Sequence, residues 1–353
     1  MKTFRIAHRL GPEVHTEKKS YLFFSGTSYL GIDYDRQYEA VLMDCIRQYG
    51  FNHGLSRVNN LQLKIFDEFE NFFAKKAKAE AAAVMSSGFL AGISAWQWLY
   101  PQAELCWIAP DTHPAILPSS LKPDFQLSFT QWKNQCIAQA ELLSSRKILI
   151  LGNAVDPLRA EIHHYDWIKE IAQKHEVTLL IDDSHAFGVL GNGIFGTYAQ
   201  WKDSKINLVV SGSLGKGLGM PAGIILGNTQ VIEGIKSQAI FTGSSPCAPA
   251  NLQAFLKTQD IYKAQHQKIR DLSGIFNQET EELSAISGSR NFPVFILNED
   301  SFPEKLEKNN FVISSFAYPH PNSPKINRIV LSGYHTLGDL MALLEILHHL
   351  SEK

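Results

Sequence analysis

Two apolar segments that end in ionisable side chains most constrain what this chain can fold into. The first runs from Thr178 to Ile181 and stops at two carboxylates, followed closely by His185. The second begins at Ile206 and stops at Lys216, which lies among four glycines. Short apolar runs that end in polar side chains are typical of buried parallel strands, whose carboxyl ends carry the chemistry of α/β enzymes. The two segments therefore predict an α/β fold with these ends side by side.

The rest of the chain is predicted to alternate between strands and helices and then to become richer in strands. Further buried strands are predicted at 105–108 and 147–153, with a helix over 165–175, which implies a mostly parallel sheet with helices on both faces. Helical spacing is also present over 36–49, 61–77 and about 249–283, strands are predicted over 20–31, 292–297, 311–316 and 327–332, and a closing helix over 337–350.

We expect three parts in the domain organisation. Residues 1–40 form an N-terminal segment that packs with the small domain, and residues 41–245 form the large cofactor-binding domain. Residues 246–353 form a smaller C-terminal α+β domain.

Charge and composition exclude several classes of partner. The net charge of −2 gives no electrostatic case for nucleic acid or an anionic membrane. The first residues contain no long apolar h-region, and no later segment approaches the length of a membrane span. The four cysteines lie far apart without a CxxC motif, which favours reduced thiols over a disulfide framework or a zinc site. We therefore expect a cytoplasmic protein that binds neither nucleic acid nor membrane.

A carboxylate and a lysine at neighbouring strand ends suit pyridoxal 5'-phosphate (PLP). Lys216 can form a Schiff base with the aldehyde, and Asp182 can hold the pyridinium proton. His113 and His185 also follow predicted strands, and the set of four is typical of a cofactor site, although each histidine alone is more often a turn or surface residue. The small residues around Gly88 precede a helix whose N-terminus can bind phosphate, although such residues alone are usually a helix cap.

Other interpretations of the same motifs fit less well. The segment before Lys216 is too short for a GxxxxGK[ST] phosphate loop, and Gly217 stands where Ser or Thr is required. A dinucleotide-like GxGxxA that begins at Gly217 contains Pro221 and precedes a strand instead of a helix. Asp182 and Asp183 could bind magnesium, but no third carboxylate cluster accompanies them. We expect no metal site.

These segments, taken in order over about residues 20–340, resemble fold-type I PLP enzymes and, within them, the α-oxoamine synthase family. That family includes 8-amino-7-oxononanoate synthase, glycine C-acetyltransferase and serine palmitoyltransferase. The matching motifs are Phe24-Ser-Gly-Thr-Ser-Tyr-Leu-Gly31, His53-Gly-Leu-Ser-Arg57, Ser86-Ser-Gly-Phe89, His113, Asp182-Asp-Ser-His185 and the loop around Lys216.

The resemblance implies a role for each matching residue. Lys216 would be the Schiff-base lysine and proton shuttle, while Asp182 would bind the pyridinium nitrogen. His185 would bind the ring hydroxyl, and His113 would stack on the ring face. Arg328 would clamp the substrate carboxylate, for which a bidentate guanidinium is the natural partner. The phosphate would be held by Ser87, Gly88, Phe89 and Ser213, with Thr242 and Ser244 reaching the phosphate of a partner subunit in a homodimer, and Thr27 and His53 would lie on the substrate side.

The chain departs from the family pattern on the substrate and acyl-donor side. Thr27-Ser28 stands where the family has Asn-Asp, and His185-Ala-Phe-Gly188 stands where it has His-Gly-Thr-Gly. The resemblance favours decarboxylative condensation of an amino acid with an acyl-CoA thioester. Two alternatives stay open: an aminotransferase that moves the amino group to a keto acid, and a binding protein that keeps the fold without turnover. The presence of Lys216, Asp182 and Arg328 argues against the binding protein.

Overall fold

Two six-stranded sheets organise the computed structural model, which describes residues 4–17, 19–318 and 322–351. The strands are β1 (Glu13–His15), β2 (Ser20–Phe24), β3 (Ala81–Met85), β4 (Leu105–Ile108), β5 (Lys147–Asn153), β6 (Val155–Asp156), β7 (Glu161–Ile162), β8 (Glu176–Asp182), β9 (Ile206–Ser213), β10 (Gly223–Gly227), β11 (Ile286–Gly288), β12 (Val294–Leu297), β13 (Phe311–Ala317) and β14 (Lys325–Val330). The helices are α1 (Arg36–Tyr49), α2 (Ile65–Ala77), α3 (Gly88–Leu99), α4 (Phe129–Leu142), α5 (Ile168–Ile171), α6 (Tyr198–Trp201), α7 (Thr229–Ser237), α8 (Ala239–Gly243), α9 (Pro249–Lys257), α10 (Gln259–Thr280), α11 (Phe302–Lys308) and α12 (Leu337–Ser351).

The larger sheet places the predicted strand ends at one edge. Its order is β3-β10-β9-β8-β5-β4, and the neighbours from β9 to β4 are all parallel. β10 runs antiparallel to both β3 and β9, so the sheet is mixed, and β3 runs in the same direction as the parallel group. The carboxyl ends of β3, β4, β5, β8 and β9 therefore meet at the same edge. The α/β fold class predicted from the sequence is confirmed.

The unbroken apolar runs are explained by burial on both faces of this sheet. Alternate side chains of a strand point to opposite faces. Leu179 and Ile181 enter the core that also contains α2 and α9, whereas Leu180 enters the core formed with α3 and α7. Such strands have no solvent face and show no alternation of apolar and polar residues in the sequence.

The smaller sheet joins the two ends of the chain. Its order is β1-β2-β13-β14-β12-β11, and β2 pairs in parallel with β13.

Helix α9 packs against helices of the large domain. Phe255 contacts Phe69 edge-on at 5.4 Å between ring centroids, and Gln253 accepts a hydrogen bond from Tyr49. We propose that the large domain continues through α9 and that the small domain begins with α10.

Three predicted helices differ from the structure at identifiable residues. Of the helix predicted over 165–175, only α5 (Ile168–Ile171) forms, since the chain then continues in turns, with the Gln173 N–H bonded to the Glu170 carbonyl. The pattern over 249–283 forms two helices, because Thr258 leaves the helical region at φ −118° and ψ 28° and ends α9. The helix predicted to start at 61 begins at Ile65, since Asn59 Oδ1 accepts the Leu61 N–H in a turn that precedes it. In the part of the chain described here, no helix has the length and apolarity needed to cross a membrane.

Candidate active site

Strand register gathers the predicted site residues at the carboxyl edge of the large sheet. Asp182 is the last residue of β8 and lies beside Asn153 of β5 on one side and Ser211 of β9 on the other. His113 follows β4, and Lys216 lies in the loop after β9. The structure thus brings together side chains from segments about a hundred residues apart in the sequence.

Asp182 is held by the turn that follows it. The carboxylate is buried, and its Oδ1 accepts the N–H of Ser184 at 2.7 Å. Ser184 in turn accepts the N–H of Ser213 on its hydroxyl at 2.9 Å, which ties this turn to the end of β9. Asp182 Oδ2 lies 3.7 Å from Nδ1 of His113. One carboxylate oxygen is therefore fixed by the backbone and the other faces the site.

His113 presents a neutral ring to the site. Its Nδ1 accepts the N–H of Ala115 at 3.1 Å, so the ring proton lies on Nε2. Partial burial lowers the pKa of His113 below 6.5, and Lys216 adds to this effect while Asp182 opposes it. With 46% of its side chain still exposed, the ring has a free face. A neutral imidazole with a free face can stack on a planar ligand.

His185 is neutral as well, and its Nδ1 is hydrogen-bonded to the hydroxyl of Tyr29. The Tyr29 hydroxyl lies 2.7 Å from His185 Nδ1, and burial raises the pKa of this tyrosine. Burial also lowers the pKa of His185 far below 6.5, with Lys216 and Arg328 acting in the same direction. The phenol keeps its proton, and in the tautomer in which it donates to Nδ1, the Nε2–H of His185 is a donor for a ligand.

Lys216 is partly buried and lacks a fixed partner. No hydrogen bond or ion pair joins its Nζ to another residue within 4–17, 19–318 and 322–351. Burial lowers the pKa of Lys216 below 10.5, Arg328 lowers it further, and Asp182 opposes both effects. A buried amine with a lowered pKa is more readily neutral, and a neutral amine can act as nucleophile or base.

Arg328 supplies an incompletely satisfied cation from the small sheet. It is 8% exposed, one terminal nitrogen donates to the carbonyl of Pro157 at 2.7 Å, and the guanidinium lies 5.2 Å from the ring centroid of Phe316. Its Nε is buried and has no hydrogen-bond partner among the described residues. Buried donors are nearly always satisfied, so this one is suited to an acceptor on a ligand, such as a carboxylate.

The start of α3 packs tightly against the end of β9. The Ser87 hydroxyl accepts the N–H of Leu90, which leaves the first N–H groups of the helix, on Gly88 and Phe89, without intrahelical acceptors. A Cβ on Gly88 would lie 2.4 Å from Cα of Ser213, so only glycine allows this contact. Helix N-termini of this kind favour phosphate.

These groups fit PLP as a set. They include a buried carboxylate for a pyridinium nitrogen and an unpaired lysine for an aldehyde. They also include a helix N-terminus for a phosphate and an unsatisfied guanidinium for a substrate carboxylate. No one of these groups alone identifies the cofactor. Their meeting at the carboxyl edge of the large sheet, with Arg328 approaching His185 and Lys216 from the small sheet, supports it.

Three predicted residues are held elsewhere within the single chain. The Thr242 carbonyl accepts the hydroxyl of Ser56 at 2.6 Å, and Ser244 donates to the carbonyl of Ile240. His53 packs beside Phe66 at 5.5 Å between ring centroids. Thr27, by contrast, accepts the N–H of Tyr29 and so lies next to the site. The roles of these residues stay predictions.

Asn153 and Asp183 complete the surroundings of the site. Asn153 Oδ1 accepts the N–H of His113 at 3.1 Å, a contact that the sequence analysis missed although Asn153 also ends an apolar run. The carboxylate of Asp183 accepts both the N–H and the hydroxyl of Thr197, at 2.6 and 2.7 Å. Asp183 therefore holds a loop. In the described ranges, no group of three or more His, Cys, Asp or Glu side chains is arranged to bind a metal ion.

Comparisons with known proteins agree with this architecture. The family model described as aminotransferase class I and II matches residues 37–345. An 8-amino-7-oxononanoate synthase of Hahella chejuensis is 25% identical across 96% of this chain and 89% of its own length. A serine palmitoyltransferase of Sphingobacterium spiritivorum is 23% identical across 95% of this chain and 88% of its own length.

Solved structures share the fold at low sequence identity. The serine palmitoyltransferase from S. paucimobilis, solved with a PLP–myriocin aldimine, has a TM-score of 0.79 and 15% identity and covers 99% of this chain and 92% of its own. An 8-amino-7-oxononanoate synthase from Francisella tularensis has a TM-score of 0.68 and 19% identity, with 94% of this chain and 98% of its own covered. The fold-type I architecture inferred from the sequence is thereby confirmed.

The buried carboxyl of Asp183 makes stability depend on pH. Burial raises its pKa from 3.8 to about 7, so its stabilising contribution is complete below pH 3.8 and is lost as the pH rises through 7. Asp183→Asn keeps the shape, its oxygen can accept the N–H of Thr197 while its NH2 donates to the Thr197 hydroxyl, and it does not titrate. The free energy of unfolding of the unaltered protein, measured by urea titration relative to this variant, should therefore fall between about pH 5 and pH 8.

The matched control is Asp166→Asn, which alters a carboxylate that is 66% exposed. The difference in unfolding free energy between Asp166→Asn and the unaltered protein should change little over the same pH range. Equal pH dependence in the unaltered protein and Asp183→Asn would show that Asp183 is ionised throughout.

Proposed function

Since this chain belongs to the aminotransferase class I and II family, we propose that it is a PLP-dependent transferase of the α-oxoamine synthase type. It would condense an amino acid with an acyl-CoA thioester and release carbon dioxide. The observation that carries the proposal is the unpaired, partly buried amine of Lys216 beside the fixed carboxylate of Asp182. The relatives named 8-amino-7-oxononanoate synthase and serine palmitoyltransferase support this class of reaction.

The candidate residues at the carboxyl edge of the large sheet would hold different parts of the cofactor. PLP, when bound, supplies a conjugated ring that accepts the electron pair released at the α-carbon of an amino acid. Asp182 would keep a proton on the ring nitrogen, because an ionised carboxylate favours a neighbouring positive charge. His185 would donate its Nε2–H to the ring oxygen, and His113 would cover one ring face. Ser87, Ser213 and the N–H groups of Gly88 and Phe89 would hold the phosphate.

Lys216 would move the proton during the reaction. Its lowered pKa favours the neutral form of Nζ, which would remove the α-proton of the amino acid. After the α-carbon has displaced the thiolate from the acyl group and the carboxyl group has left as carbon dioxide, Lys216 returns a proton to the same carbon. Arg328 would hold the α-carboxylate of the incoming amino acid through its unsatisfied Nε–H.

We also propose that the protein is a homodimer. Within one chain, the predicted phosphate ligands Thr242 and Ser244 bond to neighbouring loop and helix groups and not to the site around Lys216. The nearby loop exposes apolar side chains, with Phe51 81% and Leu61 61% exposed. A second copy would cover these side chains and receive Thr242 and Ser244 at its own phosphate. A cytoplasmic location is proposed with the dimer, supported by four unpaired cysteines.

The first prediction from the proposed function tests the cofactor and its lysine. The purified protein should be yellow, and reduction with borohydride should attach PLP to Lys216, because its amine is unpaired and has a lowered pKa. Peptide mass spectrometry after reduction locates the adduct. Lys216→Ala should lose it, whereas the exposed Lys202→Ala should keep it. An adduct on another lysine, or none, would contradict the proposal.

The second prediction tests substrate binding and the branch of chemistry. Arg328→Ala should keep the reducible PLP but bind amino acids more weakly by about 2–3 kcal/mol, roughly 30- to 150-fold, because a charged hydrogen bond is lost. The exposed Arg290→Ala is the matched control. Affinity is measured from the change in cofactor absorption on titration with glycine, alanine or serine. Unchanged affinity in Arg328→Ala would place the carboxylate clamp elsewhere.

The same titrations separate the synthase from an aminotransferase, which the family name keeps as the alternative. A synthase releases thiol when the right acyl-CoA is added to the amino acid. An aminotransferase converts PLP to its amine form with the amino acid alone, and a keto acid restores it. Complete conversion of PLP to its amine form at a rate sufficient for turnover, without any response to thioesters, would establish the aminotransferase.

The third prediction tests the sharing of sites across a dimer. Lys216→Ala and the double variant Thr242→Val with Ser244→Ala should each be weakly active alone. Mixed dimers should regain activity, because one of their two sites then carries both defects and the other carries none. Refolding the two variants together and assaying against each variant alone provides the measurement. The absence of rescue in proven mixed dimers would place Thr242 and Ser244 in the site of their own chain, or outside either site.

A further inference from the structure

A buried polar chain lies behind His113 and leads away from the site. Asn153 is 6% exposed, and its side chain bridges the turn that carries His113. Its Oδ1 accepts the N–H of His113, and its Nδ2 donates to both the carbonyl and the carboxylate of Asp111. The amide orientation follows from this pattern, since the carboxylate can only accept and the N–H can only donate. Asn153 thus fixes the main chain on both sides of Thr112.

The carboxylate of Asp111 is held in turn by His163. Asp111 Oδ2 lies 2.9 Å from Nε2 of His163, and the side chain of Asp111 is only 9% exposed. A buried carboxylate needs donors, so His163 carries its proton on Nε2. The imidazole is 2% exposed and is stacked on the ring of Phe129 at 3.9 Å with an interplanar angle of 4°. Packing therefore fixes the donor that fixes Asp111.

The chain of hydrogen bonds from His163 ends at the backbone of His113 and not at its ring. The ring makes its own contact through Nδ1 to Ala115, and no hydrogen bond links the ring to Asn153 or Asp111 in the described ranges. Moving the backbone nitrogen would move the ring with it. A displacement near 1 Å at a reacting centre can lower the rate about 100-fold. The chain from His163 therefore has the means to affect the reaction without touching a ligand.

We propose that His163 is a positioning residue for the reaction, acting through Asp111 and Asn153 on the backbone of His113. The inference rests on the proposed function, because it assumes that the His113 ring covers PLP. His163 touches neither the substrate nor the cofactor in this scheme. Its contribution is to keep the Asp111 carboxylate oriented so that Asn153 retains its three hydrogen bonds.

Two substitutions of His163 separate the effect of its hydrogen-bond donor from the effect of its side-chain volume. His163→Gln retains a donor that can reach the place of Nε2, whereas His163→Leu fills space without a donor. We expect His163→Leu to reduce kcat/KM by about 10- to 100-fold. We expect His163→Gln to stay within about threefold of the unaltered enzyme, because the donor to Asp111 is restored. His164→Gln, at the exposed neighbouring position, serves as the control and should behave as the unaltered enzyme.

The readout beside activity is the circular dichroism of bound PLP, which reports how the ring is held. His163→Leu should change this band while still binding PLP, and His163→Gln should restore it. Thermal unfolding of the apoproteins shows whether a variant is folded. If His163→Leu fails to fold, Asn153→Ser takes its place, because it removes the link to the His113 N–H without a change at the His163 packing site.

A double-variant cycle with His113→Ala provides the decisive measurement. If His163 acts through His113, then His163→Leu should have little further effect on kcat/KM or on the dichroic band once the His113 ring is gone. Independent, multiplicative effects of the two substitutions would overturn the inference, as would an unchanged band and rate in His163→Leu alone. An unaltered chain that fails to bind PLP would overturn the proposed function and the inference together. Normal PLP binding with multiplicative effects would overturn the inference alone.

Discussion

The site depends on the register of three parallel strands. Asn153, Asp182 and Ser211 lie side by side at the ends of β5, β8 and β9. A slip of β8 by one residue would turn Asp182 to the opposite face of the sheet, and a slip by two would move it by about 7 Å along the strand. Because both faces of these strands are buried, their two sets of apolar side chains resist either slip. The same burial that stabilises the sheet therefore places the carboxylate.

Burial also sets the charges at the site. It lowers the pKa values of His113, His185 and Lys216, so the two imidazoles are neutral and the lysine loses its proton more readily. The fixed charges that remain are the carboxylate of Asp182 and the guanidinium of Arg328. Neutral imidazoles can stack and donate without adding positive charge beside Arg328. The result is a site with separate anionic and cationic ends, which suits a pyridinium at one and a carboxylate at the other.

Much of the site could be predicted from the sequence because parallel strands bring their carboxyl ends together. That rule gathers Asp182 and Lys216, and it would also have found Asn153, which ends β5 in the same way. Arg328 could be assigned only by resemblance, since it comes from the other sheet and nothing in its local pattern shows which domain it faces. His163 could not be found, because its contact with a residue 52 positions earlier exists only after packing. The antiparallel direction of β10 is likewise absent from its apolar run.

The altered loop after Asp182 shows why a departure from a family pattern must be located before it is interpreted. Phe187, which stands where the family has threonine, is fully buried and packs edge-on against Phe73 at 5.7 Å. A Cβ on Gly212 would lie 3.0 Å from its ring, so a glycine there provides the room it needs. A Cβ on Gly217 would lie 2.2 Å from the carbonyl oxygen of Phe187, so this backbone touches the residue next to Lys216. The larger side chain therefore belongs to the core that supports the lysine loop and not to a wall of the substrate pocket.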